Sequence, residues 1–293
     1  SVRIDLQRNV WRLGTMAPVF LFKEPSPALR HLIRCHQVIR LHFGSHDMVP
    51  AKPYWPRPAI SLAFYPRDPE QVIAAGATAA SRKPRSAVIG QPTILTTRQG
   101  GHDFSVYQIE FQPGALHRLT GLAVNRLTDL YIDAEAIFPC GFRTLVEAIT
   151  ETENPQEMIV LAERYLLSID NAAPQSRFEQ IGWASRQLLS GNPVDIAAIA
   201  NNVGMTSRHL HRLFLDHVGV GPRLFARIAR FDRAVRLLNA RPEEGVWTAA
   251  IDTGYYDHPH IARDFREFTG LSPTQFMAVE RAAPERSFGQ VER

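Results

Sequence analysis

The last third of the chain repeats itself, and the repeat limits what this region can be. Leu210-His211-Arg212-Leu213-Phe214 recurs 51 residues later as Ile261-Ala262-Arg263-Asp264-Phe265. Gly219-Val220-Gly221-Pro222 recurs as Gly270-Leu271-Ser272-Pro273 at the same offset. Upstream, Ile199 to Met205 matches Ala249 to Tyr255 at an offset of 50, so the second copy carries one extra residue in its turn. A duplication of this period marks two copies of one supersecondary unit.

Each copy has the layout of a helix-turn-helix. An alanine (Ala200, Ala250) stands where two helices must cross closely. Four residues later a glycine (Gly204, Gly254) permits the left-handed turn. A polar cap follows, Thr206 or Ser207 in the first copy and Asp257 in the second. The second helix of each copy has an apolar face, Leu210, Leu213 and Phe214 or Ile261, Phe265 and Phe268, and an opposite face of hydrogen-bonding side chains. Between the copies, Leu224, Ile228, Phe231, Val235 and Leu238 mark one face of a continuous helix over 223–239. It would span roughly 25 Å at 1.5 Å per residue, about the reach needed to hold two second helices one turn of DNA apart.

The segment from about Phe178 to about Glu280 resembles the DNA-binding domain of the AraC/XylS family of bacterial transcriptional regulators. Beyond the paired units, the resemblance is carried by Arg230-Phe231 and Ala234 in the connecting helix, by Gly270-Leu271-Ser272-Pro273-Thr274-Gln275-Phe276, and by the unequal turns. It implies a sequence-specific regulator, expected to be an effector-responsive activator, whose second helices enter successive major grooves. The base-facing side chains it implies are Arg208, His211 and Arg212 in the first copy and His258, Pro259, His260 and Arg263 in the second. Arginine can bond guanine N7 and O6 together. Pro259 departs from the polar residue usual at its position and cannot donate. Thr206, Ser207, Arg223, Arg227, Arg230 and Arg266 are expected at phosphates, with Arg230 equally suited to an internal ion pair with Asp252 or Glu267. The partners implied are double-stranded DNA, RNA polymerase, a small-molecule effector and a second copy of the chain.

Composition is compatible with this reading without demanding it. The net charge is +4, and only Lys23, Lys52 and Lys83 are lysines, so arginine supplies nearly all the positive charge. Cys35 and Cys140 form neither a disulfide framework nor a zinc spacing, which suits a reducing, cytoplasmic setting. No run of 18 apolar residues argues for a membrane span. Residues 1–14 lack the apolar block of a signal peptide.

The expected architecture is α+β: a small β-barrel or sandwich with flanking helices over 1–170, a linker at 171–176, an all-α DNA-binding domain over 177–281 and a loose tail at 282–293. In the first domain, strands are expected over Ile60 to Tyr65, Thr93 to Thr97, His102 to Phe111 and Val38 to Phe43. The pair Gly100-Gly101 reads as the turn of a hairpin. Tyr107, Ile109 and Phe111 fall on one face, Phe104 and Val106 on the other, as in a strand covered on both sides. Helices are expected around Phe142 to Ile149 and from Pro155 to Ile169. The region Ser26 to Ile169 faintly resembles an N-terminal domain of poorly defined role in some AraC-like regulators, through Pro58 to Pro69, Gly90-Gln91-Pro92 and Phe111 to Ala115.

Tyr54, Trp55, Tyr65, Phe104, Tyr107 and Phe111 are the residues available to line an effector pocket, although aromatic side chains at strand spacing also serve as ordinary core. Arg57 and Arg98 could meet an anionic effector or lie in solvent. The first domain has no His-x-His pair, so no metal, cofactor or catalytic cluster is expected, and the chain is read as a non-enzyme. Cys35 as an alkyl-transfer or redox sensor, with an enzyme fused to the DNA-binding domain, is the alternative. A ligand-independent DNA-binding or dimer module is another.

Overall fold

The computed structural model describes residues 18–74, 80–170, 175–190, 195–241 and 245–281. Its first part is built on ten strands: β1 (Val19–Lys23), β2 (Ile33–His42), β3 (Ala51–Tyr54), β4 (Ser61–Phe64), β5 (Gln71–Ala74), β6 (Ser81–Arg82), β7 (Ser86–Ile89), β8 (Thr96–Gln99), β9 (Asp103–Phe111) and β10 (Tyr131–Asp133). They form two antiparallel sheets, ordered β1-β2-β9-β4-β7-β10 and β3-β8-β5-β6. Helices α1 (Ala115–Thr120), α2 (Phe142–Glu151) and α3 (Pro155–Ile169) cover the larger sheet.

The two-faced reading of β9 holds. Tyr107, Ile109 and Phe111 join Leu62, Phe64, Val88 and the helices in the main core. Phe104 and Val106 join Ala63, Tyr65, Ala87 and Ile89 on the opposite face of the sheet. The helix starts also follow the sequence: Asn154 caps α3 by accepting from Gln156 N, and Pro155 takes the first turn, where a missing N–H costs nothing.

The expected hairpin at Gly100-Gly101 does not form. β8 pairs with β3 and β5 in the small sheet, whereas β9 pairs with β2 and β4 in the large one. The glycine pair carries the chain from one sheet to the other. A side chain on Gly101 would run into Asp68, and one on Gly100 into Phe104. The strand expected at Thr93 to Thr97 begins only at Thr96, because Asp129 holds Thr93 through its backbone N–H (2.6 Å) and hydroxyl (2.5 Å). His42 ends a strand and pairs with Asp103 at 3.0 Å.

The second part is helical: α4 (Gln175–Leu189), α5 (Ile196–Asn202), α6 (Ser207–Val218), α7 (Pro222–Ala240), α8 (Gly245–Asp252), α9 (His258–Thr269) and α10 (Pro273–Arg281). Each helix-turn-helix has its own core. Ala200, Leu210, Leu213, Phe214 and Phe225 fill the first, with Ile181 and Leu188 of α4. Ala250, Ile261, Phe265, Phe268 and Phe276 fill the second. α7 runs through both, giving Phe225 to one and Phe231 to the other. The expected linker lies largely outside the described residues, with α4 already under way at Gln175, and the expected tail lies wholly outside them.

The two parts share a continuous seam. Trp55, one residue past β3, is buried in the core of the second helix-turn-helix, edge-on to Phe276 at 4.7 Å between ring centroids. Arg57 lies between Glu110 of β9 (3.8 Å) and Asp232 of α7 (3.5 Å). At the first helix-turn-helix, the Thr128 hydroxyl donates to the Gly219 carbonyl at 2.8 Å. The rings of His117 on α1 and His217 on α6 lie 3.8 Å apart.

His217 makes this seam sensitive to acid. Burial, together with His117 and Arg177, pushes its pKa down to about 4, and its Nδ1 is buried without a hydrogen-bond partner among the described residues. The unfolded chain holds the proton more tightly than the folded one, so stability is complete above about pH 6.5 and falls as pH drops toward 4. At pH 5 this one group should cost about 1–2 kcal/mol. Melting curves at pH 7.5 and pH 5 should diverge less for His217→Gln than for the wild type; equal divergence would remove His217 as the source.

Candidate nucleic-acid interface

The two second helices are set up by the same local devices. Gly204 and Gly254 adopt φ of +69° and +83° in the turns. Thr206 caps α6 by accepting from His209 N at 3.2 Å, and Asp257 caps α9 by accepting from His260 N at 2.7 Å. Of the two caps open in the first copy, the chain uses Thr206, which leaves Ser207 exposed on the first turn. Gly219 and Gly270 end the helices in left-handed conformation.

On α6, Arg208, His211 and Arg212 are all exposed, at the three- and four-residue spacing that puts them on one face. Arg212 lies 3.0 Å from His209 Nδ1. Arg208 and His211 also line a groove of about 530 Å³ with Ser207, Ile196 and the start of α7, including Arg223. The imidazole of His211 lies over Gly221, where a side chain would strike it. The structure thus gathers Ser207, Arg208 and His211 of α6 and Arg223 of α7 around one opening beside the α7 N-terminus.

On α9, His258, Pro259, Arg263 and Arg266 are exposed. His260 differs. It is half-buried against Tyr255 (5.1 Å) and lies 2.9 Å from an Arg230 guanidinium nitrogen, and burial followed by the Arg230 charge lowers its pKa. It is tied to the connecting helix more than it is offered outward. Arg227, expected at a phosphate, is also otherwise engaged: its guanidinium donates to Asp264 at 2.8 Å and to Glu267 at 2.6 Å. Those bonds, Glu267 first, raise its pKa further. Arg230 reaches Asp264 at 3.4 Å, so it braces α7 against α9, and its partner is Asp264 instead of Asp252 or Glu267. Asp264, 1% exposed at its side chain, is thus the hub of the second unit.

The six aromatic residues named for an effector pocket do not share one. Tyr107 and Phe111 are main core, and Trp55 belongs to the seam. Tyr65 and Phe104 lie on the inner face between the sheets, and Tyr54 stacks under Arg98 at 4.0 Å. Sequence reasoning named Arg98 but missed the seam and the buried Lys83 and Glu70 beside that inner face, since neither leaves a periodic signal. Burial pushes the Cys35 thiol up to about 12, so at neutral pH it is protonated and a poor nucleophile.

A family model described as a helix-turn-helix domain matches residues 199–278, the two units and the helix between them. The chain carries an AraC-type helix-turn-helix domain. A second model, for a domain of unknown function (DUF6597), matches residues 23–133 of the sheet region that precedes the AraC-type domain. Among curated proteins, the bifunctional transcriptional activator/DNA repair enzyme Ada of Escherichia coli is 27% identical over 154 residues, 53% of this chain and 38% of that protein. The regulatory protein ada of Salmonella typhimurium is 36% identical over 109 residues, 36% of this chain and 30% of that protein. The chain therefore spans well under half the length of these relatives. Among solved structures, ToxT from Vibrio cholerae aligns with a TM-score of 0.47 at 11% identity, over 83% of this chain and 97% of that one.

Proposed function

We propose that the chain is an effector-responsive transcriptional regulator that reads two successive major-groove segments of double-stranded DNA with α6 and α9. The observation that carries this reading is the presentation of equivalent exposed faces by two second helices hung on one rigid helix. Arg212 and Arg263, at equivalent positions of the repeat, are the main base-reading side chains, with Arg208 and His211 beside the first and His258 and Pro259 beside the second. Thr206, Ser207, Arg223 and Arg266 lie where phosphates would pass, and the exposed hydroxyls and arginines suit contacts that position without specifying. Arg230 and Arg227 serve instead to hold α9 on α7. The first domain binds the effector, and the seam passes its state to both helix-turn-helix units. Contact with RNA polymerase and pairing with a second copy follow from an activator role.

In vitro selection of random duplexes by the full-length protein at two salt concentrations tests this reading. Enrichment of two elements about one helical turn apart is the expected result. Salt-sensitive binding without enrichment would leave only phosphate affinity. Arg212→Ala and Arg263→Ala should each weaken binding to the selected site by tenfold or more, since one bidentate guanine contact is worth about 1–3 kcal/mol. Unchanged affinity in both variants, measured by fluorescence anisotropy, would reject these roles.

A further inference from the structure

The interior between the two sheets contains more positive charge than its own residues neutralise. Lys83, fully buried, binds Glu70, and Glu70 also accepts the Tyr65 hydroxyl at 3.0 Å. Arg98 of β8 reaches into the same space, half-buried, with its Nε buried and without a hydrogen-bond partner among the described residues. Its guanidinium meets ring faces: Tyr54 at 4.0 Å and Tyr131 at 5.5 Å. Tyr131 in turn lies 4.4 Å from Lys83 Nζ. Ring faces attract a cation but supply no lone pairs for its N–H groups. Among the described residues two cations thus share the Glu70 carboxylate, and Lys83 and Tyr65 both bond its Oε2. Apolar side chains continue from this cluster: Tyr65, Phe104, Val106 and Ile39, with the small Ala63 and Ala87 paired across β4 and β7.

We propose that Arg98 and Lys83 form the anion-binding end of a site for a small carboxylate whose apolar body lies against Phe104, Val106 and Ile39. A guanidinium fork matches a carboxylate in a way that a ring face cannot. The inference rests on the effector-responsive reading above and gives the effector a chemical class. It also supplies a route outward. Tyr54, which covers Arg98, is the last residue of β3, and the next residue, Trp55, is the anchor in the second helix-turn-helix. A carboxylate that draws Arg98 from Tyr54 acts one residue from the seam.

Burial and Arg98 push the Lys83 pKa down to about 7 against the pull of Glu70. Glu70, Arg98 and the tyrosines 54, 65 and 131 are the titratable groups around it. Ligand binding should recharge Lys83, so affinity should be several-fold weaker at pH 8 than at pH 6.5.

The test uses full-length protein at fixed ionic strength, with benzoate, butyrate and acetate as probes and benzamide as the neutral counterpart of benzoate. At least one carboxylate should raise the melting midpoint and bind by calorimetry with proton uptake at pH 8, while benzamide does neither. Arg98→Gln should weaken that binding tenfold or more, and Arg98→Lys, which keeps the charge, should retain part of it. Stabilisation by no carboxylate, equal effects of benzoate and benzamide, or wild-type affinity in Arg98→Gln would overturn the proposal. DNA selection on the same preparation separates the two readings. A two-element site without a carboxylate effect rejects only the ligand class; a carboxylate effect without a site rejects only the DNA reading.

Discussion

Asp264→Ala should unfold the second helix-turn-helix unit long before the first. The Asp264 carboxylate is almost wholly buried and bound by Arg227 at 2.8 Å and by Arg230 at 3.4 Å. Removing one partner from a buried ion pair costs about 3–5 kcal/mol, because the remaining charges have lost their compensation. Here the lower end applies: Arg227 and Arg230 are 32% and 21% exposed at their side chains and can recover some water. Arg227 also keeps Glu267. Hydrogen exchange locates the effect. Amides of α9 should lose protection while those of α6 keep it, because α6 packs in a separate core. Equal protection across both helices in the variant would show that the α7–α9 brace contributes little.

Trp55→Ala should separate the melting of the two domains. The indole fills a place among Phe231, Phe276 and Met277, residues of the helical domain, although it is supplied by the sheet domain. Truncating a buried tryptophan costs about 3–5 kcal/mol. Here that loss falls on the contact between two folding units, each with its own core. Calorimetry should therefore show one coupled transition in the wild type and two in the variant, the lower belonging to the second helix-turn-helix. A single transition at the wild-type midpoint would mean that the Arg57 and Thr128 contacts suffice to hold the seam. The variant should still bind isolated DNA elements, since no base-facing residue is altered.

The helical domain was legible in the sequence because its signals are local. A cap, a turn glycine and an apolar face recur within each copy, and the offset of 51 brings them into register. The limits of that reading are also physical. His260 occupies an outward position in the repeat, yet Arg230 of α7 draws it inward, and no pattern along α9 encodes a partner thirty residues away. The Gly100-Gly101 pair illustrates the same limit in the sheet domain. Two β-prone runs around glycines satisfy a hairpin and a crossing between sheets equally, and the difference lies in where β3 and β4 pair. The six aromatic residues suit either an effector pocket or ordinary core, and the sequence does not say which of several interiors each enters. Of the charged interior, Arg98 alone is marked in the sequence, as a cation for an anionic effector or for solvent; nothing in the sequence places Lys83 and Glu70 beside it.

Gly219 and Gly270 stop the two copies of the same helix with the same backbone conformation, at φ of +95° and +73°. Around Gly270 the space is open; around Gly219 a side chain would meet Thr128, Gln91 and Val124 of the sheet domain. The second glycine is therefore required by its conformation alone, and the first by its conformation and by the space around it. An asparagine, which tolerates the left-handed region, meets open space at 270, whereas at 219 its Cβ would press on Thr128, Gln91 and Val124 at 3.1, 3.2 and 3.4 Å.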